Sequence, residues 1–449
     1  MAEPYRLTAS QALGLMKKGD LTVEDYAKSL LARIKARDEE VKAWVYLDPD
    51  FVLEQARKLD AIPADQRGPL HGIAVGVKDV ILTKDMPTRH NSGIYADTPA
   101  PLVDAAPIIT LRAAGALIFG KTTTTEFAST SDGGPSCNPH DKNRTPGGSS
   151  SGSGAAVGDY QVPIGLGTQT GGSTIRPGSF NGIYAFKPTW GAISREGLAQ
   201  YSVTCDTLGL YARSAEDLEL LSSVFQLADD EPVPAEPFSI KGSKIAFCKS
   251  PVWAKAGPGT QKAWETAKAL LTQQGATVEE IELPEDFAKI KQWHSQVLAG
   301  EGRTSFLGSV LIPRVDYLLG KDKMHKMLHG HVENSSKLSR KAQLESYDGC
   351  ARLRPVWDDI ASKYDAVFTP SVTGEAPLGI GNTGDASFCS MWTILQVPCL
   401  NIPGFAGENG MPIGLTLVGP RYHDLHVLHA GKAIGDVFEK EGGWEMKLF

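Results

Sequence analysis

Residues 147–176 read GGSSSGSGAAVGDYQVPIGLGTQTGGSTIR. Eight consecutive glycines and serines, 147–154, open this stretch, and such a composition is often a flexible linker. The flanks argue against a linker, because Pro146 precedes the run and the apolar segment 162–166 that follows is suited to burial. A second Gly-Gly-Ser, 171–173, follows shortly after this apolar segment. We interpret the two runs as loops facing each other across a site, since glycine lets backbone approach a reacting centre and serine supplies nucleophiles and proton carriers.

The composition is that of a soluble globular protein, with 449 residues, of which 41% are apolar and 22% charged. A net charge of −7 without any block of lysine and arginine argues against nucleic acid or an anionic membrane as a partner. The first residues lack the pattern of a signal peptide, and no window approaches about 18 uninterrupted apolar residues. The six cysteines are scattered without a CxxC pair, which predicts reduced thiols in a cytoplasmic protein.

Helices and strands alternate along the first half of the chain. This pattern predicts an α/β fold, a single-domain α/β/α sandwich whose central twisted mixed sheet is covered by helices on both faces. The predicted helices are 22–37, 50–60, 104–114, 122–129, 155–160 and 260–273, with 285–365 mostly helical. The predicted strands are 72–81, 116–119, 162–167, 245–248, 277–283, 364–370, 399–403 and 413–419. No internal repeat and no linker divides residues 1–449.

Two motif matches compete for the function. Gly115 to Thr122 fits the phosphate-loop pattern GxxxxGK[ST], which makes a nucleotide-binding protein a remote alternative. We interpret it as a join between a helix and a strand, because a helix precedes it and its inner residues are too bulky to curl around a phosphate. Gly148 to Gly152 fits the GxSxG nucleophile elbow with Ser150 as nucleophile, but the preceding residues 143–147 are unsuited to a central strand.

Lys78 lies in the predicted strand 72–81. Lysine is rarely fully buried without a reason, yet a lysine at the end of a strand can also extend to water. This stretch alone leaves the two interpretations equal.

Together with Lys78, the two loops resemble the amidase signature family of serine hydrolases. The matching motifs are Gly-Val-Lys-Asp (76–79), Pro-Gly-Gly-Ser-Ser-x-Gly-Ser (146–153), Gly-Thr-x-x-Gly-Gly-Ser (167–173), Phe-Lys-Pro-Thr-x-Gly (186–191) and Gly-Met-Pro-Ile-Gly-Leu-x-Leu-Val-Gly-Pro (410–420). The similarity runs from about residue 7 to about residue 435. It implies one amidase-signature domain, with a catalytic core over about 65–215 and 365–435 and a more variable, helix-rich region on the substrate side over about 225–365.

The resemblance assigns the nucleophile to Ser173, the bridging hydroxyl to Ser149 on a cis peptide, and the base to Lys78. The separation of 24 residues between the two serines is the spacing of the family, and it selects Ser149 rather than Ser150. A serine needs a base to take its proton, and a lysine serves as that base only when neutral, which burial favours. This chemistry needs no metal and no cofactor.

The oxyanion hole that the resemblance implies is made of backbone N–H groups, since glycine lets consecutive amides point into one concavity. Its members are Thr170, Gly171, Gly172 and Ser173. Three departures from the family pattern concern how this loop is braced. Ser151 stands where glycine is common, Gln169 replaces a frequent aspartate, and Arg176 follows Ser173 by three residues rather than by two.

The predicted function is that of an amidase-type serine hydrolase, which cleaves an amide or a related ester or carbamate through an acyl-enzyme on Ser173. We expect a small apolar or aryl substrate, no nucleic acid or membrane as a partner, and a monomer or homodimer. The predicted substrate-binding residues are Thr125, Phe127, Cys137 and Trp392. The alternative is the glutaminase subunit of a tRNA-dependent amidotransferase, which shares these motifs.

Overall fold

The computed structural model describes residues 3–307, 321–333 and 337–446. Eleven strands in these residues form one mixed sheet. The strands are β1 (Trp44–Tyr46), β2 (Ala74–Lys78), β3 (Leu117–Thr122), β4 (Ile164–Gln169), β5 (Tyr184–Lys187), β6 (Thr207–Ala212), β7 (Lys244–Lys249), β8 (Thr277–Glu282), β9 (Ala366–Pro370), β10 (Cys399–Ala406) and β11 (Pro412–Val418). Their order across the sheet is β1-β3-β2-β4-β6-β5-β10-β11-β9-β7-β8. Neighbours within β3-β2-β4 and within β9-β7-β8 are parallel, and the other neighbours are antiparallel.

Thirteen α-helices accompany the sheet in the described part of the chain. They are α1 (Ala9–Lys18), α2 (Val23–Val41), α3 (Pro49–Asp60), α4 (Ala106–Ala113), α5 (Ser151–Gly158), α6 (Ile175–Asn181), α7 (Ala215–Val224), α8 (Pro258–Gln273), α9 (Ile290–Leu307), α10 (Lys326–Glu333), α11 (Arg340–Ala361), α12 (Ser387–Ile394) and α13 (Asp424–Glu441).

Helices cover both faces of the sheet. On β10, Leu400 packs against Gly431 of α13, whereas the next residue, Asn401, faces Gly178 of α6. Successive side chains of a strand point to opposite faces, so α6 and α13 lie on opposite sides of the sheet. The predicted α/β sandwich is therefore confirmed.

The local predictions succeed where a cap or an apolar stripe is clear. The helix predicted over 22–37 is confirmed as α2, which begins where the Thr22 side chain accepts a hydrogen bond from the N–H of Asp25. The helix predicted over 122–129 is wrong. Thr122 ends β3, and only a short 3-10 turn, Glu126–Ala128, follows, because Phe127 takes a positive φ of 50° that a helix does not allow.

The region 285–365 is helical in α9, α10 and α11, as predicted for its described residues. The parts 308–320 and 334–336 lie outside the described residues. No helix in the described ranges has the length and the apolar character that crossing a membrane requires. The six cysteines are buried free thiols.

The match to the phosphate loop is a helix-to-strand join, as interpreted from the sequence. Helix α4 ends before Gly115, and the following residues form β3 rather than a loop. The Nζ of Lys121 is buried and donates to the carbonyl of Ile81 at 2.7 Å and to Thr88 Oγ1 at 2.5 Å. These bonds connect Lys121 to the segment 81–88 that follows β2. The amine is therefore not available to bind a phosphate.

The parallel arrangement of β2 and β4 positions the site. Lys78 is the last residue of β2 and Gln169 the last of β4, so both strands end at the same edge of the sheet. The loop 170–174 leaves β4 at this edge. In α/β sheets, the carboxyl ends of parallel strands are where ligands commonly bind.

Candidate active site

Lys78 is buried at this edge rather than extended to water. Its Nζ donates to Ser149 Oγ and to Thr168 Oγ1, both at 2.7 Å, and neither partner carries a charge. Burial holds the pKa of Lys78 well below its usual range, while the negative charge of Asp206 opposes this shift and the positive charge of Arg176 adds to it. The structure thus decides between the two interpretations of this lysine in favour of a buried amine.

Ser149 is held from both sides. The peptide bond between Gly148 and Ser149 is cis, as the family resemblance implies. The guanidinium of Arg176 donates to the carbonyl of Gly148 at 2.6 Å, and the N–H of Thr125 donates to the carbonyl of Ser149 at 3.2 Å. With these contacts and the bond from Lys78, the hydroxyl of Ser149 has a fixed position beside the amine.

Ser173 lies in the loop between β4 and α6 and is largely buried, with 9% of its surface exposed. Its carbonyl accepts a hydrogen bond from the hydroxyl of Tyr211 at 3.0 Å. Among the described residues, no hydrogen bond joins the hydroxyls of Ser149 and Ser173. Catalytic hydrogen bonds are often long before substrate binds, and the second half of the relay stays a prediction.

The loop 170–173 presents unpaired amides. Within the described ranges, no group accepts a hydrogen bond from the backbone N–H of Thr170, Gly171, Gly172 or Ser173. Gly172 cannot be replaced without displacement, because a Cβ there would lie 3.0 Å from the Cβ atoms of Ala386 and Cys389. The loop therefore has the free donors that an oxyanion hole needs.

The departures from the family pattern are accommodated by other contacts. Gln169 Oε1 accepts from the N–H groups of Thr174 and Ile175 at 2.9 and 3.0 Å, and its Nε2 donates to Thr393 Oγ1 at 2.9 Å. An ionised aspartate could make the first two bonds but not the third. Arg176 forms no ion pair with Gln169, which is neutral. Its guanidinium instead donates to the carbonyl of Gly148, the residue before Ser149.

The Ser150 hydroxyl forms hydrogen bonds with the backbone of β4. Its Oγ donates to the carbonyl of Thr168 and accepts from the N–H of the same residue, both at 3.2 Å. Residues 143–147 form no strand. The geometry of a nucleophile elbow is therefore absent, and Ser151 only contributes a long bond, 3.4 Å, to the carbonyl of Thr123.

Ser149→Ala and Ser150→Ala are expected to separate catalysis from stability. Ser149→Ala should lower kcat by about 10²–10⁴-fold, since in the predicted relay its hydroxyl passes the proton from the nucleophile to the base. Ser150→Ala should lower the free energy of unfolding by about 1–3 kcal/mol, because it unpairs a buried N–H, and should leave kcat within an order of magnitude. Steady-state kinetics and urea unfolding of both variants measure this, and the reverse pattern would contradict it.

The predicted substrate residues fall into two groups. Phe127 lies in an aromatic cluster with Tyr95 and Phe306. Thr125 is buried beside the loop of Ser149, and its Oγ1 has no hydrogen-bond partner among the described residues. Trp392, by contrast, is a core residue, since it packs on Trp357 with ring centroids 4.5 Å apart.

Cys137 lies apart from the two serine loops. It lines a cavity of about 140 Å³ beside the end of α2, and its N–H donates to the carbonyl of Val41. No residue of the loops 147–150 or 170–173 lines that cavity. The substrate-binding role of the four residues stays a prediction.

Sequence reasoning missed Asp206 and His294. The Oδ1 of Asp206 accepts from Thr170 Oγ1 at 2.6 Å, and its Oδ2 accepts from two backbone N–H groups. Burial raises the pKa of this carboxyl, and the bond from Thr170 opposes the shift. An acid directly before the apolar run 207–212 is the signal that could have drawn attention to Asp206. His294 contacts the carbonyl of Thr170, and the sequence around His294 carries no comparable signal.

The described residues contain no cluster of three or more side chains suited to a metal ion.

The chain matches known proteins along nearly its whole length. The Amidase family model matches residues 25–428. The glutamyl-tRNA(Gln) amidotransferase A subunit of Chloroflexus aggregans is 31% identical over 490 aligned residues, covering 100% of this chain and 99% of that protein. The corresponding protein of Symbiobacterium thermophilum is 32% identical, covering 94% and 95%. A crystal structure of an amidase superposes with a TM-score of 0.83 and 28% identity, covering 95% of this chain and 98% of that one.

The fold and the family match define an enzyme that acts on amide carbon–nitrogen bonds. The chain belongs to the amidase family, as its motifs indicated.

Proposed function

We propose that this chain hydrolyses a carboxamide through an acyl-enzyme on Ser173, with Ser149 as the relay and Lys78 as the base. The observation that carries the proposal is the bond of 2.7 Å from the Nζ of Lys78 to Ser149 Oγ in a buried site. Burial lowers the pKa of Lys78 and so favours the neutral amine, whose lone pair can accept a proton from the adjacent hydroxyl of Ser149.

In the first step the oxygen of Ser173 attacks the amide carbon while its proton passes to Ser149, and the Ser149 proton passes to Lys78. The carbonyl oxygen becomes an oxyanion, which the N–H groups of the loop 170–173 stabilise. One such donor contributes about 3–4 kcal/mol to transition-state stabilisation. The carbon–nitrogen bond then breaks, and the proton returns through Ser149 to the leaving amine. Water releases the acyl group as a carboxylic acid by the same route.

For the substrate, we propose glutamine, with ammonia passed to a partner in an assembly. The support is that two relatives, each about one-third identical over at least 94% of this chain, are named as the A subunit of a glutamyl-tRNA(Gln) amidotransferase. A protein named as one subunit works with other chains, so an enzyme of this kind has protein partners.

A stand-alone amidase for apolar or aryl amides, esters or carbamates is the second candidate. The aromatic cluster of Phe127, Tyr95 and Phe306 favours it, because aromatic side chains commonly line pockets for apolar ligands.

A substrate panel with the purified chain distinguishes the two candidates. The panel contains glutamine, propionamide, benzamide and a phenyl carbamate, and the readout is kcat/KM for ammonia or phenol release. The glutaminase proposal predicts that glutamine is the preferred amide and that glutaminase activity increases when the other amidotransferase subunits and glutamyl-tRNA are added. A benzamide kcat/KM above that for glutamine, without any stimulation, would favour the stand-alone amidase. Ser173→Ala serves as the blank in every assay.

A further inference from the structure

Two side chains outside the family motifs hold successive carbonyl groups of the oxyanion loop. The Nε2 of His294 on α9 lies 3.0 Å from the carbonyl oxygen of Thr170. The Oγ1 of Thr393 on α12 donates to the carbonyl of Gly171 at 2.6 Å. Both side chains are buried. A carbonyl oxygen only accepts, so the Nε2 of His294 carries the hydrogen in this pair.

The geometry of the peptide bond links these contacts to the catalytic amides. In a trans peptide the C=O of one residue and the N–H of the next lie in one plane and point in opposite directions. The bond from His294 to Thr170 therefore directs the N–H of Gly171 away from α9. The bond from Thr393 to Gly171 likewise directs the N–H of Gly172 away from α12.

The two bonds come from neighbouring elements on one side of Gly171. Helices α9 and α12 pack against each other, and a Cβ added at Gly171 would lie 3.7 Å from His294 Cε1 and 4.0 Å from the Cβ of Ala386, which directly precedes α12. Both N–H groups therefore point to the opposite side, and within the described residues neither has an acceptor. From this geometry we infer that His294 and Thr393 are positioning residues, which set the direction of the oxyanion-hole donors of Gly171 and Gly172. The inference rests on the proposed acyl-enzyme mechanism, since only there do these donors act.

Thr393 is further fixed by a second bond. Its Oγ1 accepts from Gln169 Nε2 at 2.9 Å, which leaves its own hydrogen for a carbonyl. The carbonyl of Gly171 is at 2.6 Å and that of Cys389 at 3.2 Å, so the shorter bond takes the hydrogen. The neutral Gln169, which departs from the family pattern, is thus what orients the hydroxyl of Thr393.

Matched variants test the inference. Thr393→Val keeps the shape of the side chain and removes the donor, whereas Thr393→Ser keeps the donor. His294→Ala removes the imidazole, and His294→Gln places an amide N–H at a similar reach. Ser295→Ala, which alters an exposed position next to His294 on α9, is the control.

We expect Thr393→Val and His294→Ala to lower kcat by about 10- to 100-fold with KM little changed, less than the 10²–10³-fold cost of deleting an oxyanion donor. Thr393→Ser, His294→Gln and Ser295→Ala should stay close to the parent in kcat. A merely structural role would lower the melting temperature or raise KM without this selective loss of kcat. If His294→Ala does not fold, the Thr393 pair decides.

The failure of this inference can be told apart from that of the proposed function. Labelling of the parent by a fluorophosphonate, mapped by mass spectrometry, is measured first. If Ser173 is labelled and Thr393→Val equals Thr393→Ser in kcat, the positioning role is overturned and the proposed mechanism stands. If Ser173 is not labelled, the mechanism fails, and the positioning role fails with it.

Discussion

Ser173→Ala is expected to lower kcat/KM for amide hydrolysis by about 10⁴–10⁶-fold, the range seen when a nucleophile acting within a catalytic unit is removed. The acyl-enzyme cannot form without this oxygen, and the remaining oxyanion donors act only on a slow attack by water. The fold should persist, because the bond from Tyr211 in this loop reaches the backbone of residue 173, not its side chain. Ammonia release, fluorophosphonate labelling and circular dichroism measure the three parts of this prediction.

Ser150→Ala is the matched control for Ser173→Ala, since it changes the other serine that a motif nominated as nucleophile. It should keep the label on Ser173 and most of the turnover. If Ser173→Ala retained turnover and Ser150→Ala lost it, the nucleophile would be Ser150, as the nucleophile-elbow hypothesis holds.

Lys78→Met is expected to lower kcat by about 10²–10⁴-fold, the usual contribution of a general base. Methionine fills a similar volume without an amine, but it leaves the buried hydroxyls of Ser149 and Thr168 without this donor, which costs stability. The cost of burying the amine disappears at the same time, so the melting temperature should fall only modestly while turnover is lost. Kinetics and a thermal scan of the same preparation test both statements.

Lys187→Met provides the control for Lys78→Met. Lys187 is also a fully buried lysine in a strand, but its Nζ donates to the carbonyl of Pro188 at 2.8 Å, which belongs to neither serine loop. Its replacement should leave kcat near that of the parent. An equal loss of kcat in the two variants would mean that each buried lysine only supports the fold. Lys78 would then have no role as a base.

The sequence predicted two loops at the Gly/Ser runs from their composition, and the resemblance to the amidase signature family implied their catalytic role, which stays a prediction. The burial of Lys78 could not be predicted, since it depends on Thr168 of β4, 90 residues away. Helix α6 was missed because Ile175–Asn181 contains a proline and a glycine, both poor helix formers. Its tertiary contacts outweigh that propensity. Asn181, for example, donates to the carbonyl of Pro146 at 2.7 Å.

The residues that contact the loop 170–173 could not be predicted either, because they too are distant in sequence. His294 and Thr393 contact Thr170 and Gly171 across separations of 124 and 222 residues. A single sequence has no pattern that joins such distant positions. The surroundings of Trp392 could not be predicted either, because an aromatic residue in an apolar helix fits a pocket wall and a core equally well; in the structure it packs on Trp357.

The central claim is that Lys78 is neutral and acts as the base through Ser149, and the pH dependence of fluorophosphonate labelling of Ser173 tests it most directly. The rate of labelling should rise with pH as the base loses its proton. Burial depresses the pKa of Lys78, so this rise should be complete well below about 10.4, the ordinary value for lysine. The same rise should be absent in Lys78→Met. A rate that rises only near the ordinary lysine value, or a rise that persists in Lys78→Met, would contradict the claim.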